Sequence, residues 1–208
     1  MLEDLKKYSV VLASNSPRRK ELLSGLGVNF SVKTLPDVDE SFPDALKGEE
    51  IPLFIARKKA DAYKMLFSSV TSNEVEEPLL VITADTIVWI EDEVLGKPAN
   101  ATEARAMLSK LSGKKHQVIT GVCLTTASWQ KSFAAVSEVQ FSSLTEEEMD
   151  YYIQNYCPYD KAGAYGVQEW IGFIGVENIS GSYYNIMGLP VQRLYKELCL
   201  IEGRLSKL

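Results

Sequence analysis

The 208-residue sequence contains one histidine, His116. A lone imidazole rules out a histidine metal cluster and nearly excludes a serine–histidine triad. Acid–base chemistry therefore falls to carboxylates and lysines. Any bound metal is a hard ion with oxygen ligands, magnesium or manganese. Cysteine is also scarce: Cys123, Cys157 and Cys199 lie far apart, without metal-ligand spacing. They read as reduced, packed thiols in a cytosol-like, cytoplasmic compartment. No apolar run approaches the length of a membrane span. Met1 to Lys7 is charged and lacks the core of a signal peptide. Positive charge is in deficit, with 22 Lys and Arg against 28 Asp and Glu and a net charge of −6. No basic stripe argues for nucleic acid as a partner. An acidic chain that binds a polyanion needs a local cluster of cations, with divalent metal beside it. Repeats, linkers and low-complexity segments are absent too, so the length predicts one domain over 1–208, with room for two lobes. The C-terminal Ser206-Lys207-Leu208 spells a peroxisomal address.

What is present organises around Val10 to Leu23. Val10 to Ala13 is short and apolar enough for a buried strand. Ser14-Asn15-Ser16 is a polar turn, and Pro17 suits the first position of a helix with Ser16 as its N-cap. That helix buries Leu22, Leu23 and Leu26 and stops at Gly25 or Gly27. Arg18 and Arg19 fall in its first turn, where the backbone already carries partial positive charge. Two guanidiniums there, behind a Ser-Asn-Ser turn, point to a bound anion such as phosphate.

Further along, Asn29 to Thr34 reads as a strand. Pro36 to Ser41 is an acidic loop carrying Asp37, Asp39 and Glu40, which by itself reads as solvated. Pro52 opens a helix to about Phe67, with Leu53, Ala56, Ala60, Tyr63 and Phe67 on one face and Lys59 on its flank. Ser68 to Pro78 is a surface loop. Leu79 to Ala84 reads as a buried strand that runs through Asp85-Thr86 into Ile87 to Ile90. An ionised Asp85 inside such a run is costly unless cations or metal compensate. Glu91-Asp92-Glu93 turns the chain, and Lys97 is expected to return near Asp85. Asn100 with Glu103 and Thr145 with Glu148 are capping boxes opening helices. Their first helix turns Ala104, Met107, Leu108 and Leu111 to the core. Gln117 to Thr126 pairs with Ser132 to Phe141. Asp160 to Gln168 is small and glycine-rich, suited to close approach to a ligand. Phe173 to Ile179 reads as a strand, and Leu189-Pro190 starts a last helix burying Val191, Leu194, Leu198 and Ile201. The class is α/β with a mixed sheet.

Taken in order, Leu12-Ala13-Ser14-Asn15-Ser16-Pro17-Arg18-Arg19, Asp39-Glu40, Lys59-Ala60, Ala84-Asp85-Thr86, Gly96-Lys97-Pro98, Thr120-Gly121-Val122, Asp160-Lys161-Ala162-Gly163-Ala164-Tyr165-Gly166 and Gly188-Leu189-Pro190 resemble the Maf family of nucleoside triphosphate pyrophosphatases. The resemblance covers about Val10 to Leu198. It implies a long curved mixed sheet with helices and two lobes around a cleft, shared with the inosine triphosphate pyrophosphatases. It implies hydrolysis of a nucleoside triphosphate to the monophosphate and pyrophosphate with Mg2+ or Mn2+, in a cytoplasmic and often dimeric enzyme. The family is also linked to septum formation and cell-division arrest.

On that resemblance Ser14, Arg19, Lys59 and Lys97 hold phosphates, and Lys161 joins the substrate-binding residues. Asp85 is the general base, and Glu40 is a metal ligand or its partner, with Asp85 the second candidate ligand. Ser31 to Asp37 carries one residue more than the family pattern, which shifts the register ahead of Glu40. Arg18, Thr86 and Gln168 match the subgroup acting on dTTP and UTP, where the 7-methyl-GTP subgroup has Trp, Gln and Glu. An amide at Gln168 can both donate to and accept from the edge of uracil or thymine. The alternatives are the same reaction on another nucleotide such as 7-methyl-GTP, or a nucleotide-binding regulator without turnover.

Overall fold

The computed structural model describes residues 2–36, 38–63 and 78–205. Asp37, the expected helical end at Phe67, most of the loop from Ser68 to Pro78 and the Ser206-Lys207-Leu208 tail lie outside the described residues. The chain is mixed α/β. After a short helical turn at Glu3–Lys7 come β1 (Ser9–Leu12), α1 (Pro17–Gly25), β2 (Ser31–Val32), α2 (Glu50–Ala62), β3 (Leu79–Ile90) and β4 (Glu93–Leu95). Then follow α3 (Ala101–Leu111), β5 (Lys115–Thr125), β6 (Gln130–Phe141), α4 (Glu146–Tyr156), α5 (Trp170–Gly175), β7 (Val176–Ser180), α6 (Tyr183–Ile186) and α7 (Val191–Leu205). The seven strands form one sheet in the order β2-β1-β3-β5-β6-β7, with β4 paired to β3. β1 runs parallel to β2 and β3, whereas β4 on β3 and β7 on β6 are antiparallel, so the sheet is mixed.

Two compact units divide the chain. The first comprises Met1–Asp85, Thr120–Ala135 and Gly188–Leu208, and the second Thr86–Ile119 and Val136–Met187. In the first unit β1 lies in register with β3, Leu12 opposite Ile82, and the Ala13 N–H continues the ladder to the Ile82 carbonyl at 2.9 Å. Helix α2 docks through small residues: Ala56, Ala60 and Cys123 are all fully buried and pack together. Gly121 makes the close approach possible, because a Cβ there would lie 2.4 Å from the Pro52 backbone. In the second unit the core gathers Val88, Leu108, Phe141, Tyr152 and Ile171 from strands and helices alike.

Several expected boundaries shift. The strand expected over Asn29 to Thr34 shrinks to Ser31–Val32, whose two side chains are exposed and bury nothing. Helix α2 starts at Glu50, two residues before Pro52, because Pro52 needs no N–H in the first turn. The strand expected from Phe173 is overturned as far as Gly175. Ile171 and Gly175 are both buried at a spacing of four, so Trp170–Gly175 coils as a helix and only Val176 onward pairs with β6. Leu26 and Val191 are half-buried, not core. The predicted caps form: Ser16 accepts the Arg19 N–H, Asn100 the Glu103 N–H, and Thr145 with Glu148 closes a full capping box. At the Asn100 cap the Glu103 carboxylate takes the Ala99 N–H instead of closing the reciprocal bond. Among the described residues, no helix is long and apolar enough to cross a membrane.

Candidate active site

The apolar run of β1 ends at its C-terminal edge, and the polar turn and α1 begin there. Ser14 is buried; its hydroxyl oxygen accepts the Ser16 N–H at 3.2 Å and a long contact from Arg19 Nη1 at 3.5 Å. Arg19 reaches back from the first turn of α1. Its Nε donates to the Gly188 carbonyl at 2.8 Å and its Nη1 to the Ala84 carbonyl at 2.9 Å. Burial lowers the pKa of this guanidinium and Arg18 adds to the effect, while the charges of Asp85 and Glu40 oppose it. Arg19 stays protonated regardless, so a cation is held beside both carboxylates. Arg18 is half-buried next to it.

Asp85 is 9% exposed within the 12-residue strand β3. Two residues earlier, on the same face, the Thr83 hydroxyl donates to the Ala56 carbonyl at 2.7 Å. That bond fixes α2 against β3, and Lys59, one turn beyond Ala56, thereby reaches Asp85. Its Nζ lies 2.8 Å from Asp85 Oδ1 and 2.8 Å from Glu40 Oε1. Side-chain exposure is 14% for Lys59, 12% for Asp85 and 51% for Glu40. One ammonium thus bridges a buried carboxylate and a solvent-facing one.

The acidic loop is pinned and not merely solvated. Asp39 accepts from the Ser41 N–H at 2.9 Å, the Ser41 hydroxyl at 2.7 Å and Lys58 Nζ at 2.6 Å. The Lys58 ammonium and the Ser41 donors hold the Asp39 carboxyl well below the usual carboxylate range. Consecutive lysines on α2 therefore take consecutive carboxylates from the loop, which sets Glu40 against Lys59 whatever the loop's length ahead of it.

The remaining expected residues belong to the second unit. Thr86 is half-buried at the next position of β3. Lys97 is exposed two residues beyond the last β3–β4 pair, between buried Pro98 and Gly96, whose carbonyl takes the Gly163 N–H at 3.0 Å. Gly163 adopts φ 67° and would drive a Cβ to 2.8 Å from Val88, so only glycine fits there. Lys161 is buried, its Nζ 2.7 Å from Asp160 Oδ1 and 3.1 Å from Glu169 Oε1. Gln168 carries a buried Oε1 that makes no hydrogen bond among the described residues.

Sequence reasoning missed Tyr152 and Glu169. The fully buried Tyr152 donates its hydroxyl to Glu169 Oε2 and accepts the Gly166 N–H at 3.0 Å. The available signal was Glu169 itself, a carboxylate closing a loop of small residues.

Glu40 and Asp85 converge on one point with hard oxygen donors. Among the described residues, no third histidine, cysteine or carboxylate joins them to form a cage. Such a pair fits magnesium or manganese, which keeps water and substrate phosphate among its ligands.

A family model described as Maf-like protein matches residues 9–201. A dTTP/UTP pyrophosphatase of Bacteroides fragilis is 65% identical over 198 residues, covering 95% of this chain and 98% of its own. A protein of the same name from Phocaeicola vulgatus is 64% identical over the same shares. One from Porphyromonas gingivalis is 50% identical, covering 95% of this chain and 96% of its own.

Proposed function

This chain belongs to the Maf-like protein family, and from that premise we propose that it hydrolyses dTTP and UTP to the monophosphate and pyrophosphate. The observation that carries the chemistry is Lys59, shared at 2.8 Å between Glu40 and Asp85 beside the half-buried Arg19. Splitting the α–β anhydride needs positive charge on the phosphates and a carboxylate for the attacking water. Ser14, Arg19 and Lys59 supply the first; Lys97 and Lys161 are assigned to the substrate from the family resemblance. Asp85 takes the proton of the water that adds to phosphorus, and the bond to the leaving pyrophosphate breaks with its electron pair. Lys59 moves from its carboxylates to phosphate oxygen as substrate enters, which frees Asp85 to accept. Glu40 and Asp85 would hold a divalent metal, whose charge would support that of the lysines and arginine. Arg18, Thr86 and Gln168 select the base, and the uncommitted Oε1 of Gln168 suits the imide N–H of uracil or thymine.

The enzyme acts in the cytoplasm, in keeping with three cysteines that form no disulfide, and neither nucleic acid nor membrane is its partner. It works as a homodimer, for which light scattering at micromolar concentration must give twice the chain mass. A panel of nucleoside triphosphates with pyrophosphate detection tests the reading. dTTP and UTP must rank first, and orthophosphate as the sole product would sink it.

A further inference from the structure

Tyr152 has its ring in the core of the second unit and its hydroxyl at the glycine-rich loop. The hydroxyl accepts the Gly166 N–H at 3.0 Å and donates to Glu169 Oε2. Burial, then the hydrogen bond to Glu169, raises the phenol pKa, so it remains a donor at neutral pH. The other oxygen of Glu169 takes Lys161 Nζ at 3.1 Å, and Lys161 is anchored in turn by Asp160 at 2.7 Å. Gln168 stands between these two anchored positions. Its amide packs over Gly166 so closely that a Cβ there would sit 3.0 Å from Gln168 Nε2 and 2.9 Å from Glu169 Oε2. The place of the Gln168 amide is thus set by Gly166 and Glu169, and one phenol holds both. Nothing in the phosphate and proton chemistry uses this hydroxyl.

We propose that Tyr152 is a positioning residue for base selection, holding Gly166 and Glu169 so that the Gln168 amide meets the pyrimidine edge. The proposal rests on the pyrimidine triphosphatase reading above. Uracil presents an imide N–H where cytosine presents a bare ring nitrogen, so an aimed acceptor at Gln168 favours UTP over CTP. A loosened amide can rotate to donate instead, and the preference fades.

The test is Tyr152→Phe, which keeps the ring and removes only the oxygen. The expected result is a fall of roughly tenfold in the ratio of kcat/KM for UTP to that for CTP. It arises mainly from a higher KM for UTP, with kcat on UTP within about threefold of the wild type. Amide hydrogen exchange in the peptide spanning 160–169 should accelerate in parallel. A purely structural tyrosine would lower melting temperature and depress both substrates equally, leaving the ratio intact. An unchanged ratio in a folded variant overturns the proposal while leaving the hydrolase reading standing. A wild type that turns over no pyrimidine triphosphate removes that reading and the proposal with it. Should Tyr152→Phe fail to fold, Gly166→Ala decides. It leaves the phenol in place and displaces the Gln168 amide, so it must lower the same ratio, and an unchanged ratio there overturns the proposal.

Discussion

Replacing Asp85 by asparagine separates chemistry from folding. The side chain keeps its shape within β3 but loses its charge and its ability to take a proton. Loss of a general base lowers rate by ~100- to 10,000-fold, equivalent to about 3–6 kcal/mol of barrier at about 1.4 kcal/mol per tenfold. The cost in stability is smaller. A hydrogen bond to a charged group is worth about 1.5–3 kcal/mol, but Lys59 retains Glu40 at 2.8 Å and is not left uncompensated. The net loss should be about 1–2 kcal/mol, a drop in Tm of about 2–8 °C for a chain of this size. The assay pairs steady-state pyrophosphate release from UTP with thermal melting of the same sample. The reasoning fails if the folded variant turns over within about threefold of the wild type. The proton would then go elsewhere, with Glu40 the nearest alternative acceptor on Lys59.

The triple substitution Arg18→Trp, Thr86→Gln, Gln168→Glu should depress kcat/KM for dTTP and UTP by roughly tenfold to a hundredfold per lost contact. It should raise the relative rate on 7-methyl-GTP, whose cationic base can stack on Trp, whereas Lys97→Ala depresses every nucleotide alike; equal losses on all substrates in the triple variant would contradict the specificity assignment. Gly121→Ala places a Cβ 2.4 Å from the Pro52 backbone, where no flexible side chain can give way. It should cost about 3 kcal/mol or more in chemical denaturation, and a loss below about 1 kcal/mol would contradict the docking of α2. Burial pushes the His116 pKa down to about 4 from its ordinary 6.5. The folded state therefore disfavours the charged ring. Stability is full above pH 6.5 and falls by about 3 kcal/mol as the pH drops through the window down to 4. Denaturant titrations across that window should show the slope in the wild type and lose it in His116→Gln.

Local signals in the sequence were reliable where one residue type answers one backbone need. Ser16 before Pro17, and Thr145 with Glu148, satisfy helix N–H groups that have no other partner, and both caps form as expected. Asp85 was legible because a charge inside an apolar strand demands compensation, and Lys59 provides it. The Trp170 to Val176 segment was not legible, since a short apolar run has no period that separates helix from strand. The positive φ of the non-glycine residues Cys157 and Ala164 leaves no trace in composition either. Least visible were the long-range bonds: Arg19 to the Gly188 carbonyl spans 169 positions, and nothing local names that acceptor. The link from Tyr152 to Glu169 is of the same kind, because a buried phenol reads as core until its hydroxyl is followed.

The central claim is cleavage between the α and β phosphates, and phosphorus NMR of one incubation with UTP and magnesium tests it most directly. The account predicts UMP and pyrophosphate appearing in equal amounts with no UDP, and the same products formed at least about 100-fold more slowly by Asp85→Asn. UDP and orthophosphate as products, or intact UTP after prolonged incubation with both magnesium and manganese, would contradict it.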